Sequence, residues 1–126
     1  MNRAEKAVEY KHSGANCAQA VLLACADALD VDEDTLKKMG AGFAVGMGTL
    51  DATCGALCAA QMIHGLVNYK GYPILRDAKE ITEIFKTRVG ALRCGDIKGV
   101  ETGEILCPCD DCIRHAVDIL EEMGIV

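Results

Sequence analysis

The chain has no tryptophan, two phenylalanines, three tyrosines and two prolines in 126 residues. So few aromatic rings provide no platform for stacking bases, and a formal charge of -6, with Lys37-Lys38 the one cationic pair, provides no basic stripe for phosphates. Both absences argue against nucleic acid as a partner. The opening segment MNRAEKAVEYKHSG alternates charged and apolar residues and lacks the uncharged run of a signal peptide or membrane span. The expectation is a cytoplasmic chain with no membrane insertion.

What the chain does have is cysteine, eight in all. In a secreted chain these would suggest a disulfide framework, but without a signal segment a reducing compartment favours metal binding or catalytic redox. At 51% hydrophobic and 25% charged residues, the composition supports one globular domain over residues 1–126 that needs no staples to fold.

The apolar pattern is helical almost throughout. Asn2 can cap a helix to about Lys11, Ser13-Gly14 breaks it, and a second segment runs from Asn16 to Leu29. A short helical stretch spans Asp34 to Met39, and Gly40-Ala-Gly42-Phe-Ala-Val-Gly46-Met-Gly48 is too glycine-dense for regular helix. Helix resumes from Cys54 to about Tyr69, and Ile74 to Val89 is cleanly amphipathic, with Leu75, Ala78, Ile81, Ile84, Phe85 and Val89 on one side. Residues 94–109 suggest an irregular connection, and Asp110 can cap a last helix ending near Met123-Gly124. With no alternating strand pattern, the expected fold is all-α, a compact bundle of about five helices with two long cysteine-bearing loops.

Four cysteines lie where helices begin or in the loops leading into them: Cys17, Cys54, Cys94 and Cys112. Helix amino ends favour thiolate, the form that binds metal or attacks disulfides. As metal ligands the four converge on one centre, with the glycine loop supplying N–H groups to sulfur, and the protein moves single electrons. A closed four-thiolate site also suits zinc. As redox dithiols, pairs such as Cys54 with Cys58 or Cys109 with Cys112 cycle between thiol and disulfide. Cys107 and Cys109 are reserve ligands or resolving thiols, and Cys25, deep among Ala and Leu, is a packing residue.

The order Asn16-Cys17-Ala-Gln-Ala-Val, glycine loop, Cys54-Gly55-Ala56, Arg88-Val-Gly90-Ala-Leu-Arg-Cys94 and Cys112 resembles the redox-active family named for its C, CGAxxG, C, C pattern. The resemblance spans nearly the whole chain. It implies an all-helical protein with four signature cysteines, here Cys17, Cys54, Cys94 and Cys112. A similar pattern occurs in a domain of split-Soret cytochromes with which an iron-sulfur cluster is associated. The chain departs from the motif at Ala59, in place of its closing glycine, and Cys58 fills a variable position.

Other chemistries find less support. Ile113 follows Cys109-Asp-Asp-Cys112 where c-type haem attachment needs histidine, and Gly40-x-Gly42 with Gly46 does not match a dinucleotide fingerprint. A calcium loop starting at Asp30 would place Thr35 at the glycine position and Ala41 at the closing glutamate, so these carboxylates instead cap and solvate the next helix. His12, His64 and His115 show no ligand spacing, and no histidine is paired with a thiol as a cysteine hydrolase requires. Met39, Met47, Met62 and Met123 suit core filling. Two classes remain: a redox protein serving a partner redox protein, and a noncatalytic helical module with structural cysteines. Ala- and Gly-rich residues 40–65 permit close helix approach, whether in a homodimer or an internal core.

Overall fold

A computed structural model describes all 126 residues. It is all-helical, with seven α-helices rather than five: α1 (Arg3–His12), α2 (Cys17–Ala24), α3 (Glu33–Gly40), α4 (Gly55–Asn68), α5 (Leu75–Val89), α6 (Cys94–Lys98) and α7 (Cys109–Glu122). No helix is long and apolar enough to cross a membrane.

Local side chains start three of the helices. Asn2 accepts from the Glu5 amide, Asp32 accepts from the Thr35 amide, and Asn16 with Gln19 closes a reciprocal capping box. The acidic run thus caps α3, as its composition suggested. Helix α2 is shorter than its apolar pattern implied, because Arg3 Nη1 donates to the Ala24 carbonyl at 2.9 Å and the chain turns through Ala26–Ala28 to an extended Leu29. The last helix begins at Cys109, since extended Pro108 offers its carbonyl to the amides of Asp111 and Cys112. Helix α6 occupies part of the stretch expected to be irregular; at five residues it is too short for periodicity to show and depends on tertiary contacts.

Helix α2 is central, packing against α1, α3, α4 and α7, while α7 also lies on α1, α4 and α5. One core joins them, and Leu22, Ile63, Phe85, Ile113 and Leu120 are fully buried in it. His64 is a satisfied core histidine: its Nε2 meets the Ile74 carbonyl at 3.1 Å, and Asn68 Nδ2 lies 2.9 Å from its Nδ1. Met39, Met62 and Met123 pack against the core, but Met47 is exposed on the glycine-rich loop. That loop is irregular as expected, and three of its non-glycine residues, Val45, Met47 and Leu50, are left-handed.

Candidate functional site: a cavity lined by thiols

Two segments of similar sequence build the first half of the site. Ala52-Thr53-Cys54-Gly55 and Leu92-Arg93-Cys94-Gly95 meet antiparallel at a single bridge, Thr53 to Arg93. The Cys54 amide donates to the Leu92 carbonyl at 2.8 Å and the Cys94 amide to the Ala52 carbonyl at 2.9 Å. Each strand-like residue then turns into a helix, so that Cys54 caps the start of α4 and Cys94 opens α6. The glycines that follow permit close approach: a Cβ at Gly55 would lie 2.7 Å from the Phe43 carbonyl oxygen, and one at Gly95 2.7 Å from that of Leu50. Arg93 holds the pair in place by reaching Asp51 at 2.8 Å and Asp96 at 2.7 Å.

Helices α2 and α7 supply the second half. Cys17 is the first residue of α2, where Asn16 not only caps the helix but donates from Nδ2 to the Gly40 carbonyl at 3.0 Å, tying the glycine-rich loop to the cysteine. Cys109 is the first residue of α7, with Cys112 one turn on. Phe43, Val45 and Gly46 close the space from the loop side, and a Cβ on Gly46 would stand 2.8 Å from that of Cys94.

The result is one cavity of about 20 Å³, lined by Cys17, Cys54, Cys94, Cys109 and Cys112. All four cysteines singled out from the sequence reach it, although Cys112 does not open its helix. The fifth, Cys109, was expected only as a reserve ligand or as a member of a redox pair. Cys107, Cys58 and Cys25 lie outside the lining, and so do all three histidines. Cys107 is buried against Cys112, whose Sγ sits 3.7 Å from the Cys107 carbonyl oxygen. Cys58 is half-buried on α4, its Sγ 3.9 Å from the Thr53 carbonyl oxygen.

Within the cavity the thiols act on one another across helices, Cys17 with Cys109 and Cys54 with Cys112, and these influences are the largest on Cys109 and Cys54. Each pair is electrically asymmetric. The facing Cys17 thiol lowers Cys109 to about 5 against its burial, with Lys98 assisting, while Cys17 itself is raised. The facing Cys112 thiol likewise lowers Cys54 to about 7, aided by the amides of Ala56 and Leu57, and Cys112, whose own S–H donates to the Cys107 carbonyl, is raised. Burial raises Cys94. The amides that favour a thiolate thus come from α4, while those of Gly48, Leu50 and Ala52 in the glycine-rich loop bond to loop carbonyls.

Lys98 is the one charged residue in the lining; burial works against its charge, but the neighbouring sulfurs, Cys109 first, outweigh that and raise its pKa. The donor set, all sulfur, suits a soft or borderline metal. As the thiols stand, no three Cys, His, Asp or Glu side chains form a metal ion's ligand geometry. Several of these sulfurs hold their protons here, whereas metal ligands have lost them.

Sequence reasoning gave Cys109 second place because Asp110 looked like the helix cap; the signal was Pro108, which places the cap two residues earlier. The repeated Cys-Gly dipeptide at 54–55 and 94–95 was likewise a visible sign of paired segments. No curated protein and no solved structure matches the chain. The family model described as "Putative redox-active protein (C_GCAxxG_C_C)" matches residues 15–123, which include all five cavity thiols, and the chain belongs to that family.

Proposed function

We propose that this protein is an electron carrier whose redox group is an iron-sulfur cluster bound at the thiol-lined cavity. One observation carries this reading: sulfurs from four separate helix starts converge on one space with no histidine or carboxylate beside them. Cys17, Cys54 and Cys94 are three of the ligands. On α7 the ligand is Cys109 rather than Cys112, because Cys109 is the first residue of its helix, as Cys17 and Cys94 are of theirs, while Cys112 lies inside the first turn against Cys107. A bound cluster supplies one-electron chemistry. The chain's own part is to hold thiolates at helix amino ends, set Lys98 beside them to offset negative charge, and keep water out with Phe43, Val45 and Ile97. Electrons pass to and from a partner redox protein that approaches this end of the molecule.

The test is the visible spectrum of protein purified without oxygen, before and after dithionite. Bands between roughly 300 and 600 nm that bleach on reduction support the cluster. A colourless protein with bound zinc, or with no metal, overturns it. C109S then loses the bands and C112S keeps them; the reverse outcome restores Cys112 as the ligand. A second reading, two-electron dithiol exchange, is favoured by the presence of two part-exposed thiols, Cys17 and Cys109, in the lining of one cavity.

A further inference from the structure

The cross-helix pairs differ in access. Cys54 and Cys112 are 7% and 2% exposed, whereas Cys17 and Cys109 are both half-buried and lie nearer solvent. Two cations attend the outer pair: Lys98 lines the cavity with both sulfurs, and Lys11 stands in the last turn of α1. An anionic, sulfur-bearing reagent therefore meets the outer pair first, while burial shields the inner one.

We propose that, in the metal-free protein, Cys17 and Cys109 form a specific exchangeable disulfide with small anionic disulfides of the glutathione type, while Cys54 and Cys112 stay reduced in the intact fold. The Cys109 thiolate attacks one sulfur of the reagent, forming a mixed disulfide and releasing one small thiolate. Cys17, having lost its proton to solvent, then attacks the Cys109 sulfur, closing the protein disulfide and expelling the second thiolate. The protein dithiol loses two electrons and two protons, and the reagent becomes two small thiols. The pairing does not depend on the cluster reading; only its consequence does, namely that disulfide and cluster compete for Cys17 and Cys109 and oxidised protein cannot be loaded.

Peptide mapping tests the assignment. Chelator-treated protein, its fold checked by circular dichroism, is incubated with oxidised glutathione, blocked with N-ethylmaleimide and cut with trypsin. Cleavage at Lys and Arg puts Cys17 in peptide 12–37, Cys54 in 39–70 and Cys109 with Cys112 in 99–114. The expected product links 12–37 to 99–114 through Cys17 and Cys109, with 39–70 carrying two maleimide groups. A link within 99–114, a link from 39–70 to 99–114, or a mixed disulfide at Cys109 with no internal link overturns the proposal. In C17A the mixed disulfide at Cys109 becomes the end product; if that variant does not fold, the wild-type map alone decides. A colourless protein that still forms the link refutes the cluster and not the pair, and a cluster-loaded protein whose metal-free form gives no such link does the reverse.

Discussion

Helix α2 carries a cysteine at each end, and the two have opposite characters. Cys17 opens the helix at the cavity among four other sulfurs; Cys25 closes it, eight residues and about 12 Å away, fully buried in the core. Burial pushes the Cys25 thiol up to about 12 although Arg3 pulls the other way, so it remains a protonated hydrophobe. At the amino end, thiols from other helices meet Cys17, and one of them becomes thiolate. Residue type and helix are the same; only the neighbours that packing brings decide whether sulfur does chemistry. The contrast extends to the whole molecule, with five of the eight sulfurs gathered at one cavity and the core elsewhere mostly aliphatic.

The contrast breaks hardest at Cys17. Replacement by serine is expected to reduce bound iron to background, while Cys25→Ala keeps the full complement, as measured by iron content per folded protein. Equal loss in both variants would mean that the two ends are not distinct. Next comes Leu22→Ala, in the fully buried middle of the same helix, which should lower unfolding free energy by about 2–5 kcal/mol in urea titrations while folded protein still binds iron.

A smaller effect is expected at Gly95. Alanine there puts a Cβ against the Leu50 carbonyl and costs about 1–3 kcal/mol, and it also shifts the visible bands because Cys94 moves with α6. An unchanged spectrum would show that the close approach does not position the sulfur. The smallest effect is a flat line. Because Cys109 is lowered to about 5, it is thiolate throughout the neutral range, so its alkylation by iodoacetamide in metal-free protein should hardly change between about pH 6 and 8 and should fall only as pH drops through 5. Cys25, raised and buried, should stay unlabelled over the same range. A Cys109 rate rising tenfold per pH unit would place its pKa above that range.

Much of the fold was legible because its causes are local. Asn2 capped the first helix, Asp32 capped the third, and the spacing from Leu75 to Val89 described α5 over its observed length. The failures share one cause. The end of α2 is set by Arg3, twenty-one residues away, and α6 is held by a bridge to Thr53 and by Arg93 reaching Asp51, forty-two residues away. Apolar periodicity does not register such contacts. Most of the site was legible: helix starts pointed to Cys17, Cys54, Cys94 and Cys112, all of which line the cavity, and a misplaced cap kept Cys109 from standing with them.

By itself, then, the sequence determined an all-helical chain, the glycine loop that cannot be helix, and a set of thiols at helix amino ends, because each depends on residues within a turn or two of one another. Only the tertiary structure decided which sulfurs meet. Cys17 and Cys109 stand ninety-two positions apart and Cys54 and Cys112 fifty-eight, yet all four line one cavity, while Cys58, four residues from Cys54, does not. Burial of apolar faces is non-directional and acts over the whole chain, so the packing of α2, α4, α6 and α7 sets those distances, and no spacing within one segment encodes them.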